Sequence, residues 1–493
     1  MKFVVEKGAL AEVSSDIAVV GLFEDTKKLA GIAASVDKAV GGLISDFVLK
    51  KETFKGGLGD MYLLPTPKNK AFHRVLVVGF GKKDKFDLNK LRELSAKIAQ
   101  KVKSIKNVKT ATITTENFDF DASSSSQVIA EGSLIAFYAF DKYKSKKDET
   151  SLETFKIVAG KDADVKKAKE GSKKGTLYAA AVNQARDLAN EPAMYATPKK
   201  LAEVAQGLKG IEVEVFDEKQ IKKLKMNAFL AVAQGSDQPP RFIHMKYVPK
   251  NPKKRIAIIG KGLTFDSGGM DLKPPASMLN MKDDMSAAAG MIGIMKVIAE
   301  LKPQVEIHAL IASCENMVNG NSYKPGDVLT AKNGKTIEVD NTDAEGRITL
   351  ADVLTYAEDL KVDEIVDMAT LTGACMVALG YAAAGLMGNN QKLMDKLQVA
   401  SKAAGENLWQ LPMYEEYKDS LKSDIADMKN TGSRYGGASI AAIFLNNFIQ
   451  KNTPWAHIDI AGPAFVEKAN NLGAKNATGF GVRTILNYLL DSK

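Results

Sequence analysis

Two cysteines in 493 residues, Cys314 and Cys375, exclude a disulfide framework and a cysteine-built structural zinc site, and they fit a reducing compartment. Histidine is almost as scarce. His73, His244, His308 and His457 are the whole supply, and no two of them form a His-Glu-x-x-His pair. Each reads as an ordinary core or surface residue, so any metal centre in this chain must be built mainly from oxygen ligands. Only eight of the 68 basic residues are arginine, the side chain best suited to bidentate phosphate and base contacts. The lysine-rich stretches Lys82 to Lys109, Lys142 to Lys147 and Lys161 to Lys174 hold only two aromatics, Phe86 and Tyr143, too few for a stacking platform. A formal net charge of +9 therefore leaves nucleic-acid binding as an alternative, with a solvated basic surface the plainer reading. No basic segment followed by an apolar run opens the chain, which argues against export and for the cytoplasm. Met368 to Gly388 is uncharged but carries four glycines, and it reads as a core strand running into a small-residue helix rather than a membrane span.

What is present is the composition of a globular protein, 45% hydrophobic and 26% charged, in a chain long enough for two to four domains. Strand-like runs (Ile17 to Phe23, Val75 to Phe80, Thr110 to Thr115) alternate with helical runs (Leu88 to Ile105, Val128 to Tyr138), which is an α/β pattern. Gly79-Phe80-Gly81 hints at a nucleotide loop, but the third glycine and a following helix start are missing, so it reads as a turn. A long helical pattern from Asp162 to Leu188, stopped by Asn190-Glu191-Pro192, is placed to connect two domains. The expected division is 1–155, a connecting helix within 156–190, and a larger α/β domain over 191–493. In the last of these, strands at Phe242 to Tyr247, Arg255 to Gly260, Gln304 to Ser313 and Ile365 to Thr370 alternate with helical stretches, as in a doubly wound sheet.

Two polar clusters interrupt that larger domain. In Asn341-Thr342-Asp343-Ala344-Glu345-Gly346-Arg347, the residues Asp343, Glu345 and Arg347 stand at i, i+2 and i+4, which on an extended segment directs them to one side. Gly346 allows a ligand close to the backbone. A solvated loop ion pair would have the same composition. The second cluster follows the strand that begins at Arg255: Gly260-Lys261-Gly262-Leu263-Thr264-Phe265-Asp266-Ser267-Gly268-Gly269, then Lys273-Pro274-Pro275 and Met281-Lys282-Asp283-Asp284-Met285. Loops at the carboxyl ends of strands in an open α/β sheet face a common crevice, so the two clusters can meet. Asp266, Asp284, Asp343 and Glu345 are then several acids in one place, with Lys261 and Lys273 among them. They need divalent metal ions or a buried ion-pair network to coexist. Mn²⁺, Mg²⁺ and Zn²⁺ all suit oxygen ligands, and an acid bridging two ions makes a two-metal hydrolase plausible. A two-metal phosphatase or nuclease would use the same acids but gives no reason for a lysine at the centre.

These segments closely resemble the leucyl aminopeptidase family, the cytosolic dinuclear-metal aminopeptidases of peptidase family M17. The resemblance rests on Asn341 to Arg347, on Lys261 to Gly269, on Lys273-Pro274, on Met281 to Met285, on Gly235-Ser236 through Phe242 and on Thr370-Leu371-Thr372-Gly373, in consistent order across most of residues 190 to 480. It implies an N-terminal macro-like α/β domain and a larger catalytic α/β domain with a mixed, mostly parallel central sheet flanked by helices. It implies two divalent ions per subunit, Zn²⁺ or Mn²⁺, one held by Lys261, Asp266, Asp284 and Glu345, the other by Asp266, Asp343, Glu345 and the Asp343 carbonyl. Lys261 would then coordinate as the neutral amine. The implied reaction is hydrolysis of the N-terminal residue from peptides by a metal-activated hydroxide. In it, Lys273 stabilises the oxyanion, Arg347 holds a bicarbonate proton carrier, and Met281, Thr370, Leu371 and Gly373 line the pocket for the first side chain. The resemblance also implies a homohexamer, and DNA binding as an additional role in some bacterial members. Ser286-Ala287, Asn227 and Ala464-Phe465 depart from the family pattern, the last in a place that would reshape the pocket.

Overall fold

The computed structural model describes residues 1–492 apart from 25, 51–53, 67, 68, 70, 148 and 149. The chain forms two compact units, one of Met1–Ala179 with Ala469–Ala474, the other of Ala180–Lys468 with Lys475–Lys493. The division falls inside a single helix, Asp162–Asn190.

The first unit is built on six strands: β1 (Lys2–Lys7), β2 (Ser15–Leu22), β3 (Met61–Pro65), β4 (Phe72–Gly79), β5 (Thr110–Thr114) and β6 (Thr154–Ala159), in the order β1-β6-β5-β2-β4-β3. All neighbours are parallel except the edge pair β3 and β4. The expected boundary at 155/156 cuts through β6, whose Phe155 and Ile157 are buried in the same core as Ile17 and Leu76. Gly79-Phe80-Gly81 is not the turn expected of it but the end of β4 and its continuation: the Phe80 amide donates to the Leu22 carbonyl and the Gly81 amide to the Gly56 carbonyl, and Phe80 stacks on Phe86 and meets Phe23 edge-on.

The second unit carries an eight-stranded sheet of β7 (Glu212–Phe216), β8 (Arg241–Tyr247), β9 (Arg255–Asp266), β10 (Glu306–Asn316), and, after the short β11 (Val328–Thr330) and β12 (Thr336–Glu338), β13 (Glu364–Ala369), β14 (Ala383–Gly388) and β15 (Asn407–Gln410); β16 (Met428–Lys429) and β17 (Trp455–Asp459) follow. The sheet order is β15-β14-β17-β13-β9-β10-β8-β7. Its centre, β17-β13-β9-β10, is entirely parallel, with antiparallel pairs at both flanks. The central strands are continuous apolar runs such as Ile256 to Ile259 and Ile307 to Ala312, buried on both faces by helices, as parallel sheets require. The sheet is therefore mixed and mostly parallel, as expected. The strand at Arg255 is longer than its apolar run suggests, because it continues through Lys261 to Asp266. A separate three-stranded sheet, β11-β12-β16, stands beside it.

Two of the scarce histidines form one hydrogen-bonded line. His244 on β8 faces His308 on β10 at 2.8 Å between Nε2 and Nδ1; His308 Nε2 reaches Glu306 at 2.9 Å, and His244 Nδ1 reaches the Tyr356 hydroxyl at 3.3 Å. Burial, then His308 and Lys246, push the His244 ring down to about 4. An unfolded chain takes up this proton below about pH 6.5, whereas the folded chain resists it, so stability is present above that pH and falls as pH drops towards 4. We expect this group to cost about 2 kcal/mol at about pH 5 relative to neutrality. His244→Asn should flatten the pH dependence of the unfolding midpoint, and identical slopes for the two proteins would contradict the assignment.

Candidate metal centre

The parallel strands β9, β10, β13 and β17 end on one edge of the sheet, and Asp266, Asn316, Ala369 and Asp459 are their last residues. That edge is where an open α/β sheet leaves room for a ligand. Lys261 and Asp266 lie five residues apart on β9, an odd separation that would point them to opposite faces of a regular strand. The pairing with β10 passes from Leu263 opposite Cys314 to Phe265 opposite Glu315, leaving Thr264 as an extra residue. This one-residue bulge reverses the alternation and returns both side chains to the same side.

Lys261 is the hub. Its Nζ lies 2.8 Å from Asp284 Oδ2, 2.8 Å from Glu345 Oε1 and 3.0 Å from the Thr370 carbonyl oxygen, to which it donates. Two glycines create this convergence. A Cβ on Gly260 would stand 2.8 Å from the backbone of Ala287, so its absence lets helix Ser286–Leu301 dock against β9 and deliver Asp284. A Cβ on Gly346 would stand 2.7 Å from Lys261 Nζ.

The second lysine ties the loop arms together. Lys273 Nζ is 2.9 Å from Asp266 Oδ2 and 2.5 Å from Asp343 Oδ1. The Thr342 amide donates to Asp271 Oδ2 at 2.7 Å, and the Thr342 hydroxyl donates to the Gly268 carbonyl at 2.7 Å. Carboxylate oxygens of Asp266, Asp343 and Glu345 lie within 4.8 Å of one another.

The extended geometry expected for Asp343, Glu345 and Arg347 is not what is found. Asp343 sits in a turn of 3-10 helix, Thr342–Ala344, and Glu345 and Arg347 belong to the first turn of helix Glu345–Asp359. The apolar spacing of Ile348 to Leu360 suggests a helix only from Ile348, whereas the helix begins at Glu345, which gains from its positive N-terminal end. Arg347 is buried, its Nη1 donating to the Asn430 carbonyl at 2.8 Å, while its Nε has no hydrogen-bond partner among the described residues. Burial lowers its guanidinium to about 10 against the opposing pull of Glu345 and Asp459.

Of the expected pocket residues, Thr370 is in the same cluster, its hydroxyl donating to Asp284 Oδ1 at 2.8 Å. Leu371 follows it, its amide donating to Asp459 Oδ1 at 3.2 Å. Gly373, exposed with open space where a Cβ would stand, begins helix Gly373–Leu379, and Met281 opens the short turn that ends beside Asp284.

The electrostatics ask for more positive charge than the two lysines carry. Asp266, Asp284, Asp343 and Glu345 bring four carboxylates and Lys261 and Lys273 two ammoniums, leaving a formal excess of two negative charges (4 − 2). Burial, then Glu345, raise Asp266 to about 6, and burial drives Asp284 well above its ordinary value. Burial opposes the charge of Lys261, but Asp284 and Glu345 outweigh it and hold the ammonium firmly; Asp266 and Glu345 do the same for Lys273. Glu345 Oε2 is buried with no hydrogen-bond partner among the described residues. Clustered acids, an excess of two charges and an orphaned carboxylate oxygen fit divalent metal ions.

Four residues of this arrangement lie outside the sequence-level expectations. Asn316 donates to Asp266 Oδ1, Tyr323 donates to the Thr342 carbonyl, Asp459 accepts from Leu371 and Thr372, and fully buried Asn430 accepts from the Asp340 amide while donating to the Asn341 carbonyl. Asn316 carried a visible signal, a polar residue closing a buried apolar strand. Asn430 carried none, since it reaches the loop only through the pairing of β16 with β12.

Residues 183–486 match the cytosol aminopeptidase family, catalytic domain, and residues 19–147 match that family's N-terminal domain. A probable cytosol aminopeptidase of Sulfurihydrogenibium sp. (strain YO3AOP1) is 45% identical over 489 residues, covering 98% of this chain and 96% of the relative. One from Persephonella marina is 46% identical, covering 96% of each. Among solved structures, a mutant of tomato leucine aminopeptidase is similar at a TM-score of 0.89 and 34% identity, over 100% of this chain and 97% of that one. The bottromycin maturation enzyme BotP in complex with Mn is similar at a TM-score of 0.85 and 29% identity, over 97% of this chain and 99% of that one.

Gly346→Ala isolates the close approach at the hub. Gly346 is buried, and a Cβ there would press on the Cε and Nζ of the ion-paired Lys261, a displacement that alanine's better helix propensity, about 1 kcal/mol, only partly offsets. We expect metal-free stability to fall by about 1 to 3 kcal/mol and divalent-ion affinity, read by titration calorimetry, to be at least about tenfold weaker. Unchanged affinity would show that Lys261 does not need this space.

Proposed function

This chain belongs to the cytosol aminopeptidase family and is an aminopeptidase, and from that premise we propose that it removes apolar N-terminal residues from peptides, leucine among them, at the Lys261 cluster. The observation that carries this reading is the convergence of Asp266, Asp343 and Glu345 on one point with an excess of negative charge. Lys261, as the neutral amine once an incoming ion has displaced its proton, would hold one divalent ion with Asp266, Asp284 and Glu345, and Asp266, Asp343, Glu345 and the Asp343 carbonyl the other, with Zn²⁺ or Mn²⁺ as candidates. The manganese complex of the related maturation enzyme supports that choice. Bound there, the ions would polarise the scissile carbonyl and bring the pKa of a site water towards neutrality.

The chain's own residues supply the rest. Lys273 remains a cation despite its burial, because Asp266, Glu345 and Asp343 surround it. A fixed ammonium at that position meets the negative charge developing on the carbonyl oxygen without reorganising. Arg347 would anchor bicarbonate, which has the chemistry of a proton carrier; its buried, unpartnered Nε supports an anion there. Met281, Thr370, Leu371 and Gly373 would receive the first side chain, and their small or apolar character supports a broad apolar preference.

The same reading includes a cytoplasmic homohexamer. Two buried free cysteines support a reducing compartment, and the exposed Val377, Trp409 and Tyr435 support burial against further copies. Among the described residues, no helix is long and apolar enough to cross a membrane. Lysines in the basic stretches find acidic partners, as Lys83 does in Asp119 and Lys90 in Glu93, so the nucleic-acid alternative gains no support beyond net charge.

Release of p-nitroaniline from leucine p-nitroanilide should be lost on chelation and restored by Zn²⁺ or Mn²⁺. Asp343→Ala should abolish it, and Lys273→Ala should lower kcat at least about 100-fold. A chelator-insensitive activity would overturn the proposal.

A further inference from the structure

Asn316 is the last residue of β10, fully buried, and sits directly opposite Asp266 in the parallel register with β9. Its amide nitrogen Nδ2 lies 2.8 Å from Asp266 Oδ1 and 3.0 Å from the Thr342 carbonyl oxygen, so one donor group touches both arms of the cluster. Its amide oxygen is buried with no hydrogen-bond partner among the described residues. The reverse orientation would press that oxygen against two acceptors, so the donors must face the site and the unmet oxygen must face away. An amide that leaves its own oxygen unsatisfied in the interior is being held for what its nitrogen does.

What the nitrogen does is occupy one side of a carboxylate. Asp266 Oδ1 accepts from both Asn316 and the Gly268 amide, the latter at 2.9 Å, whereas Oδ2 is left to Lys273. Two donors on one oxygen fix the carboxylate plane and leave the other oxygen on the side of Lys273, which also holds Asp343. The bulge at Thr264 makes this possible, because it brings Asp266 level with Asn316 rather than one residue beyond it. We infer that Asn316 is a positioning residue, which locks Asp266 Oδ1 so that Oδ2 is aimed at the divalent-ion site and ties that aim to the Thr342 turn. This rests on the metal reading given above.

The test uses the full-length chain stripped of metal, with Mn²⁺ alone as the probe. Titration calorimetry gives its dissociation constant, and thermal unfolding with and without Mn²⁺ gives the metal-induced rise in Tm. Asn316→Ala should weaken Mn²⁺ binding about 10- to 100-fold and shrink that rise. Asn316→Asp keeps the shape should the alanine variant fail to fold. On charge alone its extra carboxylate would tighten a cation, whereas loss of the donor should weaken binding at least about tenfold. Equal falls in Tm with and without metal, at an unchanged Mn²⁺ constant, would reduce Asn316 to a packing residue and overturn the inference alone. A parent chain that binds no Mn²⁺ would overturn the metal reading and the inference with it.

Discussion

Charge compensation in a buried crevice is the constraint on which this molecule depends. Four carboxylates cannot share a low-dielectric site at their ordinary pKa values; each must be protonated, paired or coordinated. The fold meets the requirement halfway, with Lys261 set between Asp284 and Glu345 and Lys273 between Asp266 and Asp343. The remaining excess of two charges fits a receptor for divalent cations better than a finished ion-pair network. A buried network is a poor source of stability, since well-packed apolar residues would often do as well, and its retention here is better explained by chemistry.

Much of the larger unit serves to keep those six groups in place. Four parallel strands bring their carboxyl ends to one edge, a one-residue bulge corrects the facing of Lys261 and Asp266, and a glycine at 260 admits the helix behind Asp284. The small β11-β12-β16 sheet has a similar purpose. It carries Asn430 to the turn before helix Glu345–Asp359, where one buried amide spans the Asp340 and Asn341 backbone and its carbonyl receives Arg347. Polar groups inside the domain are thus mostly fasteners between loops that are far apart in sequence.

The legible and illegible parts of the sequence divide along that line. Apolar strands such as Val75 to Phe80 and Ile365 to Thr370, and the long Asp162 helix, announce themselves by periodicity, and the six charged groups announce themselves by their clustering between glycines. Their geometry is less legible. A run of Asp, Glu, Gly and Arg reads as a loop, yet helix Glu345–Asp359 begins inside it, because a glutamate suits a helix N-terminus and tertiary packing against Lys261 overrides the weak propensity of Gly346. β14, Ala383–Gly388, sets only Leu386 and Met387 among alanines and glycines and does not advertise a strand, and the two-residue β16 has no pattern at all. Asn430 and Asp459 could not be chosen from the sequence, since what matters about each is a partner tens of residues away.

The central claim is that Lys261 and Lys273 balance only part of a charge that divalent ions complete. Crystals soaked in Mn²⁺ and measured at the manganese absorption edge test it most directly. Two anomalous peaks should appear, one among Lys261, Asp266, Asp284 and Glu345 and one among Asp266, Asp343 and Glu345. A site that stays without anomalous density, with both lysines still paired to their acids, would contradict the account.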